Sequence, residues 1–118
     1  MKKIDSYTCH NDKRGTFRGI INSGRWEEAN FISTRKGEVR GGHYHKVTEE
    51  LFYIINGKIS IVISNLDGEK IESFEVSEGD IFMVEPFEVH TFKCEEDSSW
   101  INFLSIKFDS ETPDIHLP

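Results

Sequence analysis

Long apolar runs are missing from this chain of 118 residues. None approaches the roughly 18 residues that cross a bilayer as a helix, so no membrane-spanning helix is expected. Met1-Lys2-Lys3-Ile4-Asp5 leads into no apolar stretch, so a secretory leader is not expected either. Cysteine is scarce. Cys9 and Cys94 are too few and too far apart for a disulfide framework, and they read as free thiols in a reducing cytoplasm. Positive charge is in deficit: 14 Lys and Arg against 21 Asp and Glu leave a formal net charge of −7. That argues against nucleic acid or an anionic membrane surface as a broad partner, and leaves room for a local basic site holding one phosphorylated ligand. No segment keeps a helical period over three turns, and there is no internal repeat or low-complexity tract.

What is there reads as strand. Lys58–Ser64 alternates, with Ile59, Ile61 and Ile63 on one face. Leu51–Ile55 is continuously apolar, as expected of a strand buried on both faces. Asn56-Gly57 joins these two runs and Asp67-Gly68 leads on to Lys70–Val76; both dipeptides predict tight hairpins. Ile81–Val84, Val89–Cys94 and Trp100–Phe108 read as further strands, with Phe31–Thr34 and Thr16–Ile21 as additional candidates. Short strands at regular spacing predict a small antiparallel sandwich or barrel. The length suits one domain: a core barrel over about 28–108, an N-terminal strand segment over 1–22 and an irregular surface tail over 109–118.

The chemistry gathers around His43-Tyr44-His45. Residues two apart on a strand share a face, so the two imidazoles point together and Tyr44 points away into packing. Gly41-Gly42 before them let the backbone bend or approach a ligand. Glu50 opens the apolar strand that follows the turn at 46–49, and its carboxylate can fold back over the histidines. Glu49 is its rival, and strand parity does not separate the two. A second block, Gly79 to His90, ends on a third histidine. Imidazole and carboxylate together suit a divalent metal, and equally suit proton transfer on a small molecule.

The first block fits the first cupin motif, G-x5-H-x-H-x4-E-x6-G, with Gly37, His43, His45, Glu50 and Gly57 in place. The match favours Glu50 over Glu49. The second block resembles the second cupin motif, G-x5-P-x-G-x2-H-x3-N. Gly79 and His90 keep their spacing, while Glu85 stands for the Pro, Phe87 for the Gly and Cys94 for the Asn, with Pro86 shifted by one. The resemblance implies an all-β fold, the double-stranded β-helix or jelly-roll barrel. It also implies that His43, His45, Glu50 and His90 surround one divalent metal ion, with zinc first and iron, manganese or nickel also accepted.

Further segments narrow the likeness. Asp12-Lys13-Arg14-Gly15-Thr16-Phe17 resembles the D-x-R-G-x-F of deoxysugar 3,5-epimerases, and Arg40-Gly41-Gly42-His43-Tyr44 resembles their R-G-x-H-[YF], whose His is the catalytic base. R-G-x-H-x-H-K recurs in sugar 3,4-ketoisomerases. The C-terminal cupin domain of capsule-synthesis epimerase/reductases closes on F-[DN]-x3-P-D, and Phe108-Asp109-Ser110-Glu111-Thr112-Pro113-Asp114 looks like that segment. These resemblances imply an epimerase or isomerase acting next to the ketone of a 4-keto-6-deoxy nucleotide sugar in surface polysaccharide synthesis. His43, His45 and Glu50 are then the catalytic candidates. Arg14, Arg40 and Lys46 are the candidates for the sugar nucleotide's diphosphate, which arginine grips as a bidentate fork.

Trp26 and Trp100 offer base stacking, with packing as the default, and Tyr53 and Phe92 read as core. His43 has two incompatible roles: a coordinated nitrogen has no lone pair left for a proton. With metal on His43, the base must be another residue, with Glu88 or Glu38 as candidates. Two other functions fit the same residues: a metal-dependent dioxygenase or lyase, and a non-catalytic small-ligand binder. A homodimer is expected, with Lys2–Thr8 as the edge strand available for exchange.

Overall fold

A computed structural model describes residues 1–118. Eleven strands build it, without a helix: β1 (Lys2–Ile4), β2 (Cys9–Asp12), β3 (Gly15–Arg18), β4 (Glu28–Thr34), β5 (Val39–His43), β6 (Glu50–Asn56), β7 (Lys58–Ser64), β8 (Lys70–Ser77), β9 (Ile81–Val84), β10 (Val89–Cys94) and β11 (Ser98–Leu104). No helix long and apolar enough to cross a membrane is present. A five-stranded sheet runs in the order β1-β9-β6-β11-β4 and a four-stranded sheet in the order β5-β10-β7-β8, all pairs antiparallel. This is the all-β jelly-roll architecture that the cupin resemblance implies.

The core forms where the two sheets face each other. Phe52, Ile54, Phe82, Val84 and Trp100 come from the five-stranded sheet, and Ile59, Ile61, Ile63, Val76, Phe92 and Cys94 from the other. The isoleucines of β7 alternate inward as their spacing predicts. Phe52 stacks on Phe82, and Phe92 bridges both to Trp100, with centroids 5.0–5.9 Å apart. Each such side chain contributes about 1.5–3 kcal/mol by leaving water, and the aromatic bridge spans the two sheets. Phe92 is core as expected, whereas Tyr53 is only half-buried.

Several boundaries differ from the sequence expectation, each for a physical reason. Asn56-Gly57 is not a hairpin turn: β6 pairs with β9 and β11, β7 with β8 and β10, and the dipeptide crosses from one sheet to the other. Gly57 is required there on two counts. Its φ is +99°, and an added Cβ would fall 2.6 Å from Ser98 Cα. Asp67-Gly68 does lie between paired strands, but in a longer loop closed by Asn65 Oδ1, which accepts the N–H groups of Asp67 and Glu69. The last strand runs Ser98–Leu104, ending short of Phe108; the N–H groups of Lys107 and Phe108 go to the Glu27 and Glu28 carboxylates instead of to a neighbouring strand.

At the N-terminus only Lys2–Ile4 is strand, paired with β9 of the same chain. The Thr16–Ile21 candidate shrinks to Gly15–Arg18, which pairs with Cys9–Asp12 in an isolated hairpin. Every residue from Cys9 to Arg18 is exposed. This hairpin stretches the chain to 50 Å and its radius of gyration to 14.7 Å, against about 13.5 Å for a compact chain of this length.

Gly57→Ala is expected to lower stability by about 3 kcal/mol, combining left-handed strain with overpacking. Gly68→Ala, with φ +84° but open space around it, is expected to lose only about 1 kcal/mol. Urea melts of the two variants check this, and equal losses would remove the close approach at Ser98 as the reason for Gly57.

Candidate metal and proton-transfer site

β5 and β10 run antiparallel with His43 opposite His90, but the next pair is Gly41 opposite Thr91. Gly42 is therefore an extra residue, a bulge, and Gly41 and Gly42 both have positive φ (+91° and +75°). A Cβ on Gly41 would collide with the His90 carbonyl oxygen. A bulge re-aims every side chain after it. Arg40 and His43, three residues apart, would face opposite sides of a regular strand; here both line the same cavity. His45 lies just beyond the strand rather than on it, and Glu50 opens β6 opposite Val84 and Leu104.

These elements bring His43, His45, Glu50 and His90 into one cluster, with a donor atom from each within 4.8 Å of the others. His43 and His90 rings lie 4.6 Å apart, His43 and His45 5.1 Å, and His45 and His90 5.3 Å. His45 Nε2 contacts Glu50 Oε1, and His90 Nε2 is 3.4 Å from the same oxygen. The other Glu50 oxygen accepts from Asn102 Nδ2 at 3.0 Å. His45 Nδ1–H donates to the Asp114 carbonyl (2.6 Å) and His90 Nδ1–H to the Glu88 carbonyl (3.0 Å). Each of these imidazoles therefore turns Nε2 towards the cluster. Three imidazoles and a carboxylate, with the outer atoms of His45, His90 and Glu50 already occupied, form a set that can hold a divalent ion.

Electrostatics separate the histidines. Burial, then the charges of His90 and His45, pushes His43 down to about 4. Burial also pulls on His45, but its hydrogen bond to Glu50 and that carboxylate's charge outweigh it, leaving His45 above its ordinary 6.5. Burial would raise Glu50, yet the His45 and His90 hydrogen bonds hold it well below the usual carboxylate range. Glu50 is 5% exposed. A carboxylate this deep stays ionised only because these partners replace water.

A cavity of about 200 Å³ opens onto the cluster, lined by Ile32, Arg40, Gly41, His43, Glu50, Phe52, His90, Phe92, Trp100 and Asn102. Arg40 is held at its rim by Thr34 Oγ1 (2.7 Å) and the Ser33 carbonyl (3.2 Å). Arg14 is elsewhere, on the projecting hairpin and paired with Asp12 at 2.7 Å. The Lys46 side chain is exposed, and only its backbone N–H is engaged, by Asp114. Glu49 stays outside the cluster. Glu88 is tied to the Met1 ammonium and the Glu85 N–H, and Glu38 is in an exposed turn. Trp26 packs edge-on against Phe103 and donates to the Ser23 carbonyl.

Sequence reasoning names neither Asn102 nor Asp114 as a site residue, and offers Trp100 only for base stacking, with packing as the default. Asn102 and Trp100 each carry a buried polar atom with no protein partner, Oδ1 and Nε1 respectively. Their inward direction depends on the register of β11, which no local pattern announces. Asp114 was visible only as the last letter of the closing segment. Phe87, where the second motif expects Gly, adopts φ 66° after Pro86, donates its N–H to the His45 carbonyl (2.8 Å) and stacks on Tyr44.

In protein freed of metal by chelation, an NMR titration of the ring protons is expected to find His43 neutral down to about pH 4 and His45 titrating above 6.5. The two act oppositely on stability. His43's contribution is full above 6.5 and declines as pH falls towards 4. His45's is full below 6.5 and is lost as pH rises through its folded value. A His43 midpoint at or above 6.5 would contradict this ordering.

Comparison with known proteins places the chain. The polysaccharide biosynthesis C-terminal domain model matches residues 10–116. A curated relative, the UDP-2-acetamido-2,6-beta-L-arabino-hexul-4-ose reductase of Pseudomonas aeruginosa, is 31% identical over 80 residues, 59% of this chain and 22% of that protein. Among solved structures, the capsular polysaccharide assembling protein CapF of Staphylococcus aureus superposes with a TM-score of 0.73 at 22% identity, over 93% of this chain and 32% of that one. The dTDP-4-dehydrorhamnose 3,5-epimerase of Sulfolobus tokodaii gives 0.74 at 24% identity, over 87% of this chain and 69% of that one. The chain thus spans about a fifth of the curated relative and a third of CapF. With its fold shared by these structures and the family's sequence pattern running through nearly its whole length, this chain belongs to the polysaccharide biosynthesis C-terminal domain family.

Proposed function

We propose that this domain is an epimerase or isomerase acting next to the ketone of a 4-keto-6-deoxy nucleotide sugar, in the making of a surface polysaccharide. The observation that carries the reading is the pairing of a proton acceptor with a cationic rim in one cavity: His43 and Arg40 both line it. The family's role and the named reaction of the epimerase that shares the fold support the substrate class.

His43, Glu50 and His90 all line the cavity, but His45, His90 and Glu50 are each tied to a group outside the cluster, which leaves His43 as the member assigned to move a proton. Its low pKa keeps it neutral, with a lone pair free, across the physiological range. In this reading His43 takes the proton from the carbon α to the ketone. The C–H electron pair becomes the enolate double bond, and the charge moves to the ketone oxygen. A proton delivered from solvent to the opposite face, as the enolate collapses to the ketone, inverts the carbon. Return of the proton from His43 to the former carbonyl carbon, with the neighbouring hydroxyl passing its own proton to the enolate oxygen and becoming the ketone, moves the ketone instead.

His45, Glu50 and His90 would hold the divalent ion, with zinc as the first expectation. Such an ion supplies positive charge beside a developing enolate. Arg40 has guanidinium N–H groups left over from Thr34 and Ser33 for a diphosphate oxygen.

Incubation with UDP- and dTDP-linked 4-keto-6-deoxy sugars in D₂O is expected to place deuterium at the carbon α to the ketone. His43→Asn is expected to slow that exchange by about 10²–10⁴-fold, with bound zinc retained. Loss of zinc along with exchange would make His43 a ligand, and no exchange with either nucleotide would overturn the assignment.

A further inference from the structure

Beyond β11 the chain has no regular structure, yet its residues 114–116 are fastened to the outer side of the cluster. Asp114 is the fastening point. One carboxylate oxygen accepts the Lys46 N–H (2.8 Å) and also the His116 Nε2–H (2.9 Å). The other accepts the N–H groups of Val47 (3.0 Å) and Thr48 (2.9 Å) and the Thr48 hydroxyl (2.9 Å). The backbone carbonyl of the same residue accepts His45 Nδ1–H. Two backbone hydrogen bonds of 3.0 Å between Tyr44 and His116 close the arrangement.

We propose that Asp114 is a positioning residue for the barrel centre, fixing the His45 ring so that Nε2 faces Glu50. This rests on the reading of His45 as a member of that centre working through Nε2. A carbonyl at Nδ1 fixes which ring nitrogen keeps the proton. A carbonyl in an irregular tail, however, is placed only as well as its segment is. Here the carboxylate places it, by gathering three successive N–H groups of the turn that leaves His45, an anion-binding concavity of backbone dipoles. One residue thus grips His45 twice, at its ring through the carbonyl and at its following backbone through the side chain. Those N–H groups also hold the Asp114 carboxyl well below the usual range against the pull of burial, so the grip stays charged.

The test uses the full chain. In metal-free protein, ¹⁵N-edited spectra are expected to show the His45 Nδ1–H as a slowly exchanging proton. Asp114→Ala should lose that signal to exchange with water, while leaving the core methyl and amide spectrum dispersed. Zinc affinity, measured by chelator competition, should fall about 10–100-fold. Asp114→Asn keeps one acceptor oxygen and should fall between. An unchanged Nδ1–H signal in Asp114→Ala would overturn the proposal, since a tail anchor alone would not move it. If Asp114→Ala fails to fold, Thr48→Val removes one of the donors, and no change in Nδ1–H exchange in either Thr48→Val or Asp114→Asn overturns it. If the unaltered protein binds no zinc, the metal reading of the centre fails, and the Nδ1–H comparison still decides the role of Asp114.

Discussion

A carboxylate buried to 5% exposure at the end of an apolar core organises this end of the barrel. Glu50 follows the 46–49 turn and precedes Leu51 and Phe52, both in the packed interior, so it cannot retreat to solvent without pulling β6 out of register. An unpaired charge there would be costly, and breaking a buried pair on one side costs about 3–5 kcal/mol. The fold answers with His45 and His90 on one oxygen and Asn102 on the other. The constellation is at once the structural condition for Glu50 and a donor set suited to a metal. Stability and chemistry therefore depend on the same contacts.

Two backbone devices deliver the partners. The Gly41-Gly42 bulge turns His43 and Arg40 to one side, and the Pro86-Phe87 turn sets up His90. The second device departs from the family pattern, because Phe87 occupies a left-handed conformation that glycine adopts without penalty. Such strain costs about 1–3 kcal/mol and persists where surroundings over-determine it. Here the Phe87 N–H is held by the His45 carbonyl, and its ring rests on Tyr44, which rests in turn on His116. The departure is absorbed by the same tail that carries Asp114, so the side of His45 away from the cavity is one connected unit.

The legible parts of the sequence were those with local causes. The inward alternation of Ile59, Ile61 and Ile63, the bounds of β7, β9 and β10, and the all-β class follow from side-chain period and turn chemistry. The spacing of the two motifs named all four cluster residues, because side chains at adjoining strand ends keep fixed separations along the chain. Asn56-Gly57 misled as a hairpin because the dipeptide dictates a tight reversal, not which sheet receives the next strand. The three candidate cations looked alike in sequence. Only Arg40 shares a strand with a cluster histidine, and the other two are carried off by the hairpin and by the exposed bend at Lys46 and Val47.

The sequence by itself determined the all-β class, most of the strands, the family and the identity of the clustered histidines and glutamate, since each is written in short-range spacing. Tertiary structure alone decided which face each of them shares, that Arg40 rather than Arg14 or Lys46 meets the cavity, and that Asn102 and Asp114 hold the centre in place. Those outcomes come from pairings between residues 52 and 69 positions apart and from one extra residue in β5. A bulge reverses the parity of everything after it, and a tail's docking point is set by the unpaired N–H groups it finds, so neither can be read from a local pattern.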